Sequence, residues 1–240
     1  MASIVSGIVG ESGSGKTTSI MNMDPKSTVY INADKKIPSF FHEFKGMRYL
    51  ESSNLWEIAE TISLVNSEPN AKHIKSIVID TVNGIMTDDE MARMREKNYD
   101  KWIDLAVCVY ELISLCNHLR PDLVVYPMFH EEAFVSDDGI RSRRILTSGK
   151  KLQSIKLERK MTIVLYSIVR GSGADNKYFF ETQARSSSGK SPIKMFKDFT
   201  IPNDLSVVNK TIRDYYKLDQ IEYKPGKELD LSTFEIYKNS

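Results

Sequence analysis

Residues 10–18 read Gly10-Glu11-Ser12-Gly13-Ser14-Gly15-Lys16-Thr17-Thr18 and complete the pattern G-x-x-x-x-G-K-[ST]. The chemistry of that spacing is phosphate binding. Glycines let successive backbone N–H groups turn inward around phosphate oxygens, where side chains would block the approach. Lys16 then meets the β- and γ-phosphates and Thr17 offers a hydroxyl to Mg²⁺, so ATP with Mg²⁺ is the expected ligand and Gly10 to Thr18 its cradle.

Three further positions carry chemistry beside that loop. Ile77-Val78-Ile79-Asp80 is an apolar run ending in a carboxylate. Such a strand places Asp80 at the carboxyl edge of a parallel sheet, where it holds Mg²⁺ through water, with Thr17 as the second metal-side group. Ile31-Asn32-Ala33-Asp34 ends in the same way, and Asp34 is a candidate to polarise the attacking water; the competing reading makes Asp34-Lys35-Lys36 a solvated turn. Phe129-His130-Glu131-Glu132 sets a polar residue where a fourth strand faces the γ-phosphate. His130 is either a γ-phosphate sensor or a surface group at a strand end. Lys16, Asp34, Asp80 and His130 are thus the catalytic candidates.

The elements that position these residues follow from apolar spacing. Ile4 to Val9 reads as a buried strand before the loop, and Thr17 to Met23 as about two helical turns stopped by Pro25. Ser27–Asn32, Ile74–Asp80, Asp122–Phe129 and Met161–Val169 read as four more strands. Asn54 with Glu57 three residues later predicts a capping box opening a helix through Ile58, Ile62 and Val65. A long helix is predicted from about Asp100 to His118, before Pro121. Alternating strands and helices predict an α/β parallel sheet wrapped by helices.

Composition fits one ordinary soluble domain, or one domain with a small appendage. Of 240 residues 41% are hydrophobic and 27% charged, no apolar run is long enough to span a bilayer, and Met1-Ala2-Ser3 lacks a basic leader. Cys108 and Cys116 sit eight residues apart in one predicted helix, too far along its axis to bridge, so they read as buried thiols in a reducing cytoplasm. The net charge is only +1, but between Glu132 and Phe196 thirteen Lys/Arg face five Asp/Glu, leaving +8 there and −7 elsewhere. That asymmetry suits a polyanionic partner for the C-terminal half, or a solvated surface with an excess of cations.

Taken in order, GESGSGKTT at 10–18, YINAD at 30–34, SIVIDT at 76–81, His130, LTSGKKL at 146–152, YFFETQARSSSGK at 178–190 and IPNDLS at 201–206 resemble the RecA-like core ATPases of bacteriophages. In particular they resemble the small single-strand-annealing recombinases that consist of little beyond the ATPase core. The resemblance covers residues 1–206 as the core and leaves 207–240 as a C-terminal helix and tail. It implies a mostly parallel twisted sheet flanked by helices with C-terminal β-hairpins, ATP hydrolysis with Mg²⁺, assembly into a ring or filament, and single-stranded DNA as partner, in the cytoplasm of an infected host. It assigns the segment after the fourth strand, Glu131 to Lys151, to DNA. There Asp138-Gly139 forms a hairpin turn, Arg141, Arg143 and Arg144 lie on the returning arm, and Lys150 and Lys151 follow. Lys190 and Lys194, placed after the final hairpin, are its candidates for a basic finger entering the neighbouring subunit's nucleotide site, against a plain solvated loop. The tail is either packed on its own core or docked on a neighbour or a single-strand-binding protein. In this family the residue in the place of Asp34 is usually Glu.

Other phosphate-loop classes fit less well. Ser186-Ser187-Ser188-Gly189 is a poor LSGGQ, Asn209-Lys210-Thr211-Ile212 breaks N-K-x-D at its last position, and Thr81 stands where large helicases have Glu. A small-molecule kinase and a nucleotide-dependent loader of a replication protein remain as alternatives.

Overall fold

The computed structural model describes residues 2–38, 47–97, 100–135 and 139–238. Among them nine strands form one sheet: β1 (Ile4–Gly10), β2 (Thr28–Asn32), β3 (Arg48–Glu51), β4 (Ser76–Asp80), β5 (Val124–Val135), β6 (Arg141–Ile145), β7 (Ile163–Arg170), β8 (Lys177–Glu181) and β9 (Thr200–Pro202). The order is β3-β2-β4-β5-β1-β7-β8-β9, with β6 paired to the outer part of β5. From β3 to β7 neighbours run parallel; β5–β6, β7–β8 and β8–β9 are antiparallel. The expected architecture of a mostly parallel sheet with later hairpins is therefore present.

Side-chain alternation splits the core into two layers. Val5, Val9, Ile77, Ile79, Val125 and Phe129 face α1 (Leu55–Ser67), α2 (Val82–Ala92) and α3 (Asp100–Cys116). Ile4, Ile8, Val78, Tyr126 and Leu165 face the opposite way, under α5 (Leu205–Tyr216) and the short turn Thr18–Ile20. Strands covered on both faces read as continuous apolar runs, which is how β1, β4 and the first half of β5 look in the sequence.

The C-terminal part is no appendage. Leu205, Val208 and Ile212 of α5 are buried in the second layer, while Phe234 and Tyr237 are buried in the first. Asn66 ties the connection down, donating to Lys227 O at 2.8 Å and accepting from Arg120 N at 2.7 Å. Among the described residues no helix is long and apolar enough to cross a membrane.

Local expectations meet three corrections. The phosphate loop leads into a single 3₁₀ turn, Thr18–Ile20, instead of two helical turns. Pro25 disfavours helical backbone at Asp24, and the Asp24 carboxylate caps a turn through Ser27 instead. Asn54 does cap α1, accepting from Trp56 N and Glu57 N, but its own N–H goes to Ser52 Oγ, so Glu57 does not close the box. The fourth strand does not stop at Phe129: β5 runs on to Val135 as the first arm of a hairpin, with Glu131 opposite Ile145 and Val135 opposite Arg141. Residue 138 of the expected turn lies outside the described residues.

Candidate nucleotide site

The loop between β1 and Thr18 is shaped by backbone freedom. Gly13 and Gly15 sit at φ of 78° and 91°, a region L side chains rarely enter. Space forbids a side chain at Gly15 as well, since a methyl there would come within 2.9 Å of the Tyr178 ring. From behind, Ser167 on β7 donates to Ser14 O at 2.6 Å, and Asn203 Nδ2 donates to Ser167 Oγ at 2.6 Å.

Lys16 is almost fully buried, and its ammonium donates to Gly10 O at 2.8 Å and Glu11 O at 2.9 Å. Burial pulls its pKa below the ordinary lysine value, with the surrounding carboxylates Asp80, Glu131 and Asp34 opposing that shift. A cation held by loop carbonyls, with carboxylates around it, is ready to move onto phosphate oxygens.

Asp80 lies at the end of β4, 3% exposed. Its Oδ2 accepts from Thr17 Oγ1 at 2.7 Å and from Tyr30 Oη at 2.9 Å. Its Oδ1 is buried without a hydrogen-bond partner among the described residues. Burial raises its pKa, against the lowering effect of those two hydrogen bonds. An orphaned buried carboxylate oxygen beside a threonine hydroxyl is a donor set that fits Mg²⁺ and its water shell. Tyr30 orients Asp80 through that hydrogen bond, and a tyrosine inside a buried strand carries no sequence signal of its hydroxyl's target.

Asp34 sits past β2 with its carboxylate 19% exposed. Oδ1 accepts from Thr81 Oγ1 at 2.8 Å, and Lys36 lies 3.3 Å from Oδ2. Thr81 is the N-cap of α2, its hydroxyl also accepting from Gly84 N at 3.1 Å. A methyl on Gly84 would collide with Asp34 Oδ1 and the Ala33 backbone, so this glycine allows α2 to approach the end of β2. Asp34 is thus neither a free turn residue nor directly on Lys16; it is held at a helix N-terminus, where a carboxylate is favoured.

His130 lies inside β5, half-buried, with its backbone N–H on Asn83 Oδ1 at 2.7 Å. Burial first, then the Lys16 charge, keeps its pKa below the ordinary imidazole value, so it is neutral near pH 7. A cavity of about 430 Å³ joins Lys16, Thr17, Asp34 and His130, with Tyr178 and Asn203 on its wall. All four predicted catalytic residues lie on or beside it, Asp80 being reached through Thr17.

The basic arm is placed differently. Arg143 lies between Glu131 (3.5 Å) and Glu181 (2.5 Å) and stacks over Tyr166 with 5.0 Å to the ring centroid. Arg144 pairs with Glu132 at 2.8 Å and covers Phe134. Arg141 is exposed at the far end of β6. Lys150 and Lys151 open α4 (Lys150–Ile155), with Lys151 exposed. Lys190 and Lys194 come before β9, not after the last hairpin. Lys190 bridges to Val164 through its backbone, and its side chain lines a separate cavity of about 420 Å³ with Arg144, Lys156 and Arg159. It does not project as a finger; Lys194 does stand exposed, at φ of 63°.

A phosphate loop rising from a central parallel strand, with the Asp80 strand two places away across β5, completes the architecture that the resemblance implied. The fold is α/β, a mostly parallel sheet flanked by helices. Solved structures similar to it include the RadB recombinase, 13% identical over 78% of this chain and 84% of that one with a TM-score of 0.47. FlaH of Methanocaldococcus jannaschii is 11% identical (74% of this chain, 76% of that one, TM-score 0.41), and a KaiC-like protein of Pyrococcus horikoshii is 12% identical (74% and 76%, TM-score 0.42). No protein-family model matches the sequence, and no curated protein matches it.

Proposed function

We propose that this chain is a Mg²⁺-dependent ATPase of the RecA-like kind that assembles on single-stranded DNA and uses its nucleotide cycle to control annealing or strand pairing. The observation that carries the ATPase half is the joining of Lys16, Thr17–Asp80 and Asp34 around one cavity beneath a complete phosphate loop. Loop N–H groups and Lys16 hold the phosphates, and Thr17 and Asp80 face the metal position. When bound, Mg²⁺ neutralises charge on the β- and γ-phosphate oxygens. Asp34 orients and deprotonates the attacking water, with Thr81 fixing its carboxylate. Neutral His130 supplies a hydrogen bond toward the γ-phosphate from the strand that continues into the β5–β6 hairpin. A conformational link between phosphate and hairpin then needs no intervening segment.

The DNA half rests on the +8 stretch between Glu132 and Phe196, on the exposed Arg141 and Lys151, and on the sequence resemblance. A second reading, a nucleotide-dependent loader that does not hold DNA, draws on the internal pairing of Arg143 and Arg144. ATPase rate with and without single-stranded DNA tests both halves. Turnover that disappears in Lys16→Ala and rises with DNA supports the proposal. Turnover indifferent to DNA leaves the loader reading, turnover only with a phosphate acceptor makes it a kinase, and no nucleotide binding at all refutes the site.

A further inference from the structure

The nucleotide cavity has two unlike ends, and the sheet order sets them apart. Strand β1, which carries the phosphate loop, has β5, β4 and β2 on one side and β7, β8 and β9 on the other. Every hydrolytic candidate lies toward the first side: His130 on β5, Asp80 on β4 and Asp34 after β2. The carboxylates that surround the Lys16 ammonium, Asp80, Glu131 and Asp34, come from that side too. A triphosphate lying in the loop with its γ-phosphate toward those groups directs its nucleoside toward β7, β8 and β9.

On that side the cavity wall is Tyr178 of β8 and Asn203 just beyond β9. Asn203 N donates to Tyr178 O at 3.2 Å, and both side chains crowd Gly15, so the pair is fixed against the loop. Alternation along β8 sends Phe180 into the apolar layer with no exposure, whereas Tyr178, two residues earlier on the same face, overlies the loop 43% exposed. An aromatic ring left open to solvent at the nucleoside end of a phosphate cavity is a flat apolar surface of the kind a base covers.

We infer that Tyr178 is the platform on which the nucleobase stacks. The inference rests on the nucleotide reading above and adds the base subsite to it. Stacking needs the ring and not the hydroxyl, and it touches the base and not the phosphates. Those two distinctions define the test.

Equilibrium binding of Mg-ATP and of Mg-tripolyphosphate, which has phosphates but no nucleoside, is measured calorimetrically for the parent, Tyr178→Ala and Tyr178→Phe. Tyr178→Ala is expected to weaken ATP about tenfold, equivalent to about 1.4 kcal/mol, while tripolyphosphate binds as to the parent. Tyr178→Phe restores ATP affinity. Circular dichroism melting of each variant checks that the fold is kept. Equal weakening of both ligands means the tyrosine supports the loop and overturns the inference while leaving the nucleotide site standing. An unchanged ATP affinity in Tyr178→Ala overturns it too. A parent that binds neither ligand removes the nucleotide reading and the base subsite together.

Discussion

Arg143→Ala removes the only cation among the described residues that stands between Glu131 and Glu181. Both carboxylates are shielded, with side chains 7% and 10% exposed, while Arg143 itself is 24% exposed. Deleting one partner of a fully buried ion pair costs about 3–5 kcal/mol. Water reaching the arginine side lowers this to about 2–3 kcal/mol, and the lost stacking on Tyr166 returns about 0.5–1 kcal/mol to the penalty. A total near 3 kcal/mol is a large share of the roughly 5–15 kcal/mol that stabilises a domain. With a urea slope of about 3 kcal/mol/M, the midpoint of unfolding falls by about 1 M. The pH dependence supplies a second signature. Burial already raises the Glu131 pKa above its ordinary value of 4.5, with Arg143 pulling the other way. Without Arg143 the folded value rises further, so Glu131 is protonated in both states near pH 4 and its share of the penalty is absent there. That share sets in as pH climbs past the parent's own raised Glu131 value, where the parent's carboxyl ionises beside Arg143 and the variant's does not, the unfolded chain being alike in both. Urea melts of parent and variant at pH 4.5 and 8 measure it, and Glu131→Gln in the variant background recovers part of the loss at pH 8. A midpoint shift below about 0.3 M at pH 8, or a larger shift at pH 4.5, refutes the buried-clamp account.

Asp34→Asn retains Mg-ATP affinity but loses about 10²- to 10⁴-fold in turnover, read from steady-state ATPase, because an amide takes no proton from water; Asp80→Asn instead raises the Mg²⁺ concentration needed for half-maximal rate. Arg141→Ala, which spares the paired arginines, flattens the salt dependence of single-stranded DNA binding by about 0.7 in log–log slope if Arg141 contacts a phosphate; an unchanged slope removes it from the DNA surface. Cys108 and Cys116 are pushed up to about 12 by burial, so the folded protein resists thiol alkylation at pH 8 and reacts fully in denaturant. Rapid labelling without denaturant contradicts their placement.

The parts of the site that the sequence announces are those where one residue type has few substitutes. Glycines at positive φ, Lys16 and Thr17 leave a readable string, and buried parallel strands leave apolar runs that locate Asp34, Asp80 and His130. What stays hidden is made by pairing across distant elements. Arg141 and Arg143 of β6 read as a pair of phosphate contacts because alternation puts them on one side of the strand but does not fix their partners. Glu181 is 38 residues from Arg143 and meets it only through the β7–β8 hairpin. Tyr30, Ser167, Tyr178 and Asn203 were unreadable for the same reason: each is an ordinary strand or loop residue until the sheet order sets it against the phosphate loop. The edge strand β3 puts only Leu50 against the core and so leaves no apolar signature, with Arg48, Tyr49 and Glu51 all exposed.

Residues 205–237 cover opposite faces of the sheet in succession, and that has a consequence for the order of assembly. The contacts that seat the far part of this wrap join very distant positions: Asn54 with Tyr237, Asn66 with Lys227 and Cys108 with Thr233, separated by 183, 161 and 125 residues. Such closures come late, since chain entropy must be spent before they return anything. On a ribosome, the phosphate loop, Asp34, Asp80, His130 and Tyr178 are all synthesised before either apolar layer receives its C-terminal cover. A nascent chain therefore carries every nucleotide-facing residue while one face of its sheet still lacks α5 and the other, already under α1 to α3, lacks its closing turn Ser232–Tyr237.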